Sequence, residues 1–200
     1  RKMNMKKIAA ILASFALLAT STTLADTVKI GFVTTLTGGA GAMGNDMRDA
    51  AELALDHLDR KMGGLDVQMI YEDDGFKPEV GKQKTEKLVK KDRVHFVGGY
   101  IWSHVLLASR GSVVGKGPFM ISSNAGPSPV AGKLCHEDFF STSWQNDQTP
   151  MAMGEVLNQM GIKNLYIMAP NYAAGKNMVS GVERTFKGKI VGKDMTKFPA

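Results

Sequence analysis

The amino-acid sequence predicts an α/β fold in which parallel strands form doubly wound sheets. From residue 26 onward, short apolar stretches typical of buried strands alternate with longer segments whose apolar residues recur at helical spacing. Such alternation is typical of parallel sheets that have right-handed crossovers and helices on both faces. The single cysteine, Cys135, has no partner for a disulfide within these 200 residues, so core burial must stabilise the fold.

The first 25 residues have the composition of a secretory signal peptide. Two lysines precede an uncharged apolar stretch at residues 8–18, and the small residues Thr23 and Ala25 have the spacing of a cleavage site. The apolar stretch is too short to span a membrane as a helix. We therefore expect residues 1–25 to be removed and the mature chain to be periplasmic.

The charge distribution argues against a nucleic-acid partner. The formal net charge is +6, but four basic residues among the first seven supply +4 and no acidic residue precedes Asp26, which leaves +2 on the rest. The remaining sequence has no basic stripe interleaved with aromatic residues. We expect no nucleic acid to bind.

The first α/β unit is predicted between residues 26 and 143. A glycine-rich loop at 37–44 follows the first strand, Gly63 and Gly64 stop the first helix, and a long loop occupies 124–143. The strands are predicted at residues 27–36, 65–74, 94–99 and 118–123. The helices are predicted at residues 45–62, at 78–91 and from Ser103 onward.

The strand and helix pattern starts again near Trp144. Thr149 and Pro150 have the residue types of a helix N-cap and a first helical position, and Gly161 closes that helix. A strand at 163–170, a helix within 171–186 and a strand from Lys189 are predicted next. About 55 residues are fewer than an α/β domain normally needs. We therefore expect residues 144–200 to be the start of a second, truncated lobe.

Ser103 and His104 could form a nucleophile and its base. However, neighbouring residues on a helix point about 100° apart, and no G-x-S-x-G motif surrounds Ser103. Ser103 has the residue type of a helix N-cap, and the free N–H groups of a helix N-terminus at the end of a parallel strand attract anions. We therefore predict ligand binding rather than catalysis.

The remaining polar motifs predict no cofactor and no metal. The loop at 37–44 matches neither nucleotide-binding glycine motif, so we expect it to let a ligand approach the backbone. The four histidines lack the spacing of metal ligands. Three consecutive acidic residues, 72–74, cannot all face one site, and we predict a solvated strand end.

Six segments of the sequence resemble, in the same order, periplasmic substrate-binding proteins of ABC transporters. The similarity is to the type I group related to leucine/isoleucine/valine-binding proteins, and within it to the branch that takes up aromatic carboxylates or related hydrophobic acids. The segments are residues 28–59, 67–89, 94–99, 118–129, 139–148 and 171–182.

The resemblance implies two α/β lobes joined by a hinge, with the second lobe incomplete in this chain. A small carboxylate-bearing ligand would bind between the lobes, and the closed monomer would deliver it to an ABC permease in the inner membrane. The family motifs place the ligand contacts at Met43, Trp102, Ser103, His104, Asn124, Ala125, Gly126, Tyr172 and Ala174.

Two positions depart from the amino-acid binders of this family. Trp102 stands where a small hydroxyl residue is usual, and Gly126 stands where Thr or Ser is frequent. Losing these hydroxyls weakens the case for an α-ammonium group, while an indole favours a flat or hydrophobic ligand. Both Trp102 and Tyr172 lie at junctions between strands and helices, where ligand stacking and core packing remain alternatives.

Two other functions remain open at this stage. An exported sensory domain of a receptor or regulator would bind ligands through the same fold. An exported α/β hydrolase would use Ser103 or Ser123 as its nucleophile, and it would turn over model esters.

Overall fold

A computed structural model describes residues 27–198, so the predicted signal peptide lies outside the described residues. The larger sheet has six strands in the order β2-β3-β1-β4-β5-β6. Its neighbouring strands are parallel, except that β2 and β3 are antiparallel. The strands are β1 (Val28–Thr34), β2 (Lys61–Met62), β3 (Leu65–Asp73), β4 (Phe96–Gly99), β5 (Phe119–Ser122) and β6 (Phe139–Ser141).

Three α-helices connect the strands of this sheet. They are α1 (Gly41–Asp56), α2 (Pro78–Lys87) and α3 (Ser103–Arg110). A π-helical turn, Leu88–Asp92, continues α2, and the left-handed conformation of Arg93 (φ 54°) ends it. Pro78 occupies the start of α2, where its missing N–H leaves no hydrogen bond unmade.

The main core lies between one face of the sheet and helices α2 and α3. Val33 of β1 and Val97 of β4 are fully buried in it. Leu88 and Leu106 pack in the same cluster from the helical side. Full burial of each such side chain contributes about 1.5–3 kcal/mol, so this layer holds β1 and β4 firmly at the centre of the sheet.

The opposite face of the sheet is covered less completely than predicted. Leu55 of α1 is buried over this face and lines an apolar groove together with Phe32. Phe119 and Phe140, at the β5–β6 edge, are 41% and 52% exposed. Between β5 and β6 the described chain contains only a 3-10 turn, Ser128–Ala131, and no α-helix that could cover them.

The first helix ends earlier than predicted, at Asp56 rather than near residue 62. Lys61–Met62 instead forms β2, which pairs antiparallel with the start of β3. Gly63 and Gly64 both have positive φ angles, 59° and 83°, which a two-residue hairpin turn requires. The two glycines therefore make a hairpin and not a helix end. The predicted loop at 124–143 likewise contains the short strand β6, too brief to show a periodicity.

The chain after residue 147 forms a separate sheet of two parallel strands, β7 and β8. Its predicted elements are confirmed as α4 (Gln148–Gln159), β7 (Asn164–Pro170), α5 (Ala173–Thr185) and β8 (Lys189–Thr196). Helix α4 begins before Thr149, so the predicted cap is wrong. Asp147 holds the N-cap position and pairs through its carboxylate with Arg184 of α5 (2.5 Å).

No helix within residues 27–198 is long and apolar enough to cross a membrane.

Candidate functional site

The strand order reverses at the carboxyl end of β1. The chain runs from β1 to β3 on one side and then returns to β4 on the other side of β1. Ligands of open parallel sheets bind outside the strand ends at such a reversal. Three segments meet here: Thr35 follows β1, Asp74 follows β3, and residues 100–102 follow β4.

Helix α3 begins at this edge of the sheet. Trp102 is extended (φ −103°, ψ 126°) and occupies the N-cap position, and no side chain caps the helix, so the prediction of Ser103 as N-cap is wrong. Instead, the buried hydroxyl of Ser103 accepts a hydrogen bond from Nδ2 of Asn146 (2.9 Å). The first N–H groups of an α-helix have no partner within the helix, so they can serve an anion.

Five rings meet beside the N-terminus of α3, and we call them the aromatic cluster: Phe76, Trp102, His104, Tyr172 and Phe198. Phe76 and Trp102 meet edge to face, with ring centroids 4.6 Å apart. Tyr172 stacks on Phe198 at 4.2 Å and meets His104 at 5.5 Å. The cluster joins residues that follow strands of the larger sheet to residues that follow β7 and β8.

A buried hydrogen-bond chain anchors this cluster. Nε1 of Trp102 donates to Oγ1 of Thr35 (2.9 Å), and Oγ1 of Thr35 donates to Oδ1 of Asp74 (2.5 Å). The same Oδ1 accepts a hydrogen bond from the backbone N–H of Phe76 (2.8 Å). Thr35 and Asp74 are fully buried, and Oδ2 of Asp74 has no hydrogen-bond partner among the described residues.

Burial shifts two pKa values at this site in the direction of the neutral forms. It lowers the pKa of His104, against smaller opposing effects of a hydrogen bond with the Phe76 backbone and of the Asp74 charge. It raises the pKa of Asp74, against the hydrogen bonds from Thr35 and Phe76. Nδ1 of His104 is buried and lacks a partner among the described residues.

The acidic run 72–74 is not the solvated strand end that was predicted. Glu72 is 7% exposed and pairs with Lys84 and Lys87 of α2, at 2.7 Å and 2.5 Å. Asp73 instead accepts hydrogen bonds from the loop after β1, including the backbone N–H of Leu36 (2.8 Å). Successive strand residues point to opposite faces, which separates Glu72 from Asp73, and Asp74 lies just beyond the end of β3.

The predicted residues after β5 contact the segment before α3 and the backbone at Trp144. Nδ2 of Asn124 donates to the carbonyl oxygen of Ile101 (3.0 Å). The backbone N–H of Ala125 donates to the carbonyl oxygen of Tyr100 (2.9 Å). These bonds tie the β5 loop to the segment before α3. A Cβ on Gly126 would lie 2.0 Å from the carbonyl oxygen of Trp144. Only a glycine at this position lets the β5 loop approach the backbone of Trp144 so closely.

Met43 and Ala174 occupy different surroundings. Met43 lies in the first turn of α1 with its side chain 48% exposed, outside the aromatic cluster. Ala174 lies buried in the first turn of α5, two residues after Tyr172. The extended conformation of Tyr172 (φ −148°, ψ −177°) turns the chain from β7 into α5.

This fold and crevice correspond to a known family. Residues 27–200 match the periplasmic binding protein family. The chain belongs to that family. Its architecture is that of type I periplasmic binding proteins.

Individual members of the family and solved structures support the match. Leu/Ile/Val-binding protein homolog 3 of Brucella melitensis is 27% identical over 192 residues, which cover 94% of this chain and 50% of that protein. A solute-binding protein of an ABC transporter from R. palustris, solved with benzoate, is 27% identical with a TM-score of 0.82, covering 88% of this chain and 49% of that one.

A third protein shows the fold alone. The branched-chain amino acid transporter substrate-binding protein of Streptococcus pneumoniae, solved with isoleucine, is 21% identical with a TM-score of 0.77, covering 88% of this chain and 51% of that one. The present chain therefore spans about half the length of its relatives. All three are binding proteins, in agreement with the prediction of ligand binding.

The hydrolase alternative requires a serine hydroxyl within hydrogen-bond reach of a base. In the described residues, no serine hydroxyl is hydrogen-bonded to a histidine ring, and the Ser103 hydroxyl is engaged by Asn146. Residues 27–198 contain no group of three His, Cys, Asp or Glu side chains that could hold a metal ion.

Sequence reasoning missed Phe76 and Phe198 as members of the cluster, and it misjudged Asp74. One signal was available for Phe76. The Asp74-Gly75-Phe76 turn follows β3, and loops after parallel strands gather at one edge of the sheet. Nothing comparable marked Phe198, because it follows β8 of the separate sheet.

Proposed function

We propose that this protein is an extracytoplasmic solute-binding protein that delivers a small carboxylate with an aromatic or hydrophobic body to an ABC importer. The observation that carries the proposal is the aromatic cluster beside the open N-terminus of α3. The cluster offers apolar ring surfaces for the body of a ligand, and the helix N-terminus offers N–H groups for its carboxylate.

Ser103 contributes to carboxylate binding through its hydroxyl proton. Its oxygen accepts from Asn146, so the O–H hydrogen remains to be donated to a ligand. Burial lowers the pKa of His104 and thereby favours its neutral form, so the side chain adds a flat polar ring. Asn124 acts mainly on the backbone before α3, which it holds at Ile101.

The aromatic rings favour an aromatic acid over an amino acid. Trp102 and Phe76 form one wall from the larger sheet, and Tyr172 forms the other wall from the α5 side. The binding of benzoate by a relative of 27% identity supports this choice. The remaining predicted contacts, Met43, Ala125, Gly126 and Ala174, would line the crevice around these walls.

Ligand binding would couple the two sheets. Residues 26–143 would form the first lobe and residues 144–200 the start of the second, and the rings of Trp102 and Tyr172, 6.5 Å apart, lie across their boundary. A ligand held by both sides stabilises the closed form by its differential affinity for that form. The closed monomer in the periplasm would then be recognised by an inner-membrane permease.

A thermal-shift experiment on the full-length mature protein tests the proposal. Benzoate is compared with benzyl alcohol, which lacks the carboxylate, and with acetate, which lacks the ring; isoleucine represents the amino acids. A ligand at 100 times its Kd stabilises the folded state by about 2.7 kcal/mol. We expect a shift with benzoate that exceeds the shifts with all three controls.

A matched pair of tryptophan variants locates the effect. Trp102→Ala removes one wall of the proposed site, whereas Trp144→Ala alters a side chain that is 59% exposed. We expect the benzoate shift to disappear only in the first variant. A shift with isoleucine alone would contradict the aromatic ligand class, and no shift with any acid would contradict the binding function.

A further inference from the structure

We propose that Thr35 and Asp74 are positioning residues that set the orientation of the aromatic cluster in the free protein. Neither residue was predicted to belong to the site. The consequence for ligand affinity rests on the function proposed above. The positioning itself does not, because it is a property of the protein without ligand.

The hydrogen-bond chain can be assembled in only one direction. An indole N–H is a donor only, and Oδ1 of Asp74 accepts hydrogen bonds from Thr35 and from the backbone N–H of Phe76. The hydroxyl of Thr35 has one hydrogen, which it gives to Oδ1 of Asp74, so it must present a lone pair to Nε1 of Trp102. Asp74 thereby determines the direction of the hydroxyl, and the hydroxyl determines where the indole N–H can point.

One carboxylate oxygen anchors both rings of the first wall. Oδ1 of Asp74 also accepts from the backbone N–H of Phe76, whose positive φ of 67° is uncommon for a residue with a side chain. The ring of Phe76 then meets that of Trp102 edge to face at 4.6 Å. Oδ1 of Asp74 therefore acts on the positions of both rings, through the Phe76 backbone and through the hydroxyl of Thr35.

The burial of Asp74 indicates that this residue has a role beyond packing. Its side chain is fully buried, and Oδ2 has no partner among the described residues, although an unsatisfied buried polar atom costs stability. No cation pairs with it in residues 27–198, whereas the neighbouring Glu72 pairs with two lysines. The loss of stability caused by the unsatisfied Oδ2 is explained if Oδ1 of the same carboxylate organises a functional site.

The test uses the indole N–H signal of Trp102 in ¹⁵N–¹H NMR spectra of the full-length protein without ligand. Trp102→Phe assigns the signal by its loss. In the wild type, we expect this proton to exchange with solvent more slowly than that of the exposed Trp144. In Thr35→Val, which keeps the shape but lacks the hydroxyl, the signal should shift and exchange at least about tenfold faster. Thr35→Ser restores the hydroxyl and should restore the signal.

Benzoate titration of the same variants gives the functional consequence. We expect Thr35→Val to weaken binding about tenfold, and Thr35→Ser to bind as the wild type does. Equal Trp102 signals in the wild type and Thr35→Val would overturn the positioning role. If Thr35→Val does not fold, fast exchange of Trp102 in the wild type, at the rate of Trp144, would overturn it as well.

The two proposals can fail separately. If the wild-type protein binds no acid, the function proposed above is wrong, while the NMR comparison still decides the positioning role. If benzoate binds but the Trp102 indole signal is the same in the wild type and in Thr35→Val, the proposed function stands and the positioning role is wrong.

Discussion

Ser103 and His104 are neighbours in the sequence, yet their side chains serve different parts of the molecule. The Ser103 hydroxyl bonds to Asn146, while the His104 ring lies among the aromatic residues. Successive residues on a helix point about 100° apart, so this separation is unavoidable. Under the proposed function, the pair offers two independent contacts to a ligand.

At the residue scale, we predict that His104→Gln reduces the loss of stability on acidification. Burial lowers the pKa of His104 in the folded protein, so the unfolded chain takes up that proton more readily. The free energy of unfolding of the wild type therefore falls as the pH drops from 7 through the ordinary histidine pKa of about 6.5 toward 5. Denaturant unfolding at pH 7, 6 and 5 measures the difference between the two proteins.

His57→Gln is the matched control for this experiment, because His57 is exposed at the end of α1. We expect it to follow the wild type. Asp74, whose pKa is raised, acts in the opposite direction, since its protonation stabilises the folded state as the pH falls. Asp74 is present in all three proteins, so its contribution is common to them apart from its charge interaction with His104. Identical pH profiles of the wild type and His104→Gln would contradict the prediction.

At the element scale, each sheet has a glycine that lets the first turn of a helix contact the end of the preceding strand. A Cβ on Gly44 of α1 would lie 1.8 Å from the carbonyl oxygen of Thr35. A Cβ on Gly175 of α5 would lie 1.9 Å from the carbonyl oxygen of Pro170. In each case, the absence of a side chain lets the first helical turn contact the backbone that leaves the strand.

We predict that Gly44→Ala and Gly175→Ala each lower the free energy of unfolding by at least about 1–3 kcal/mol, the usual cost of overpacking. The added methyl group must displace either the helix or the strand end, since the backbone oxygen it meets cannot rotate away. Denaturant titration with a far-ultraviolet circular dichroism signal measures the change.

Gly39→Ala serves as the control for both variants. A Cβ at Gly39 would meet no atom within 4 Å, and its φ is not positive. We therefore expect the stability of Gly39→Ala to equal that of the wild type. Wild-type stability in Gly44→Ala would show that the helix can retreat from β1 without cost.

At the scale of the whole molecule, polar and aromatic contacts join the two sheets. Asn177 of α5 accepts a hydrogen bond from the backbone N–H of Ser128 (3.1 Å), and Asn146 bonds to Ser103 of α3. The rings of Tyr172 and Phe198 complete a cluster that begins with Phe76 on the larger sheet. The aromatic cluster therefore depends on contributions from both sheets.

We predict that Tyr172→Ala weakens benzoate binding by up to about tenfold, because an aromatic contact of about 0.5–1.5 kcal/mol is lost. Calorimetric titration of the full-length protein measures the affinity. Small-angle scattering should show that benzoate makes the wild type more compact and that the variant responds less.

Tyr166→Ala provides the comparison, because Tyr166 lies on β7 and is 53% exposed. It should bind benzoate as the wild type does. An equal loss of benzoate affinity in both variants would mean that Tyr172 stabilises the second sheet and does not contact the ligand.

Much of the fold could be predicted because its signals are local. The apolar stretch at β1 and the helical spacing in α2 and α5 each lie within a short segment, and the structure confirms them. The errors fall where one local signal has two meanings. Gly63 and Gly64 end a helix or make a hairpin equally well, and only the pairing of β2 with β3 selects the hairpin.

Local sequence order thus determined which segments become strands and helices, and resemblance to a family indicated where a ligand binds. The tertiary structure alone decided which side chains meet. Thr35, Asp74 and Trp102 form one hydrogen-bond chain because β3 and β4 flank β1, and Phe198 reaches the cluster from a separate sheet. Contacts between residues far apart along the chain depend on strand order and packing, which no periodicity within one segment encodes.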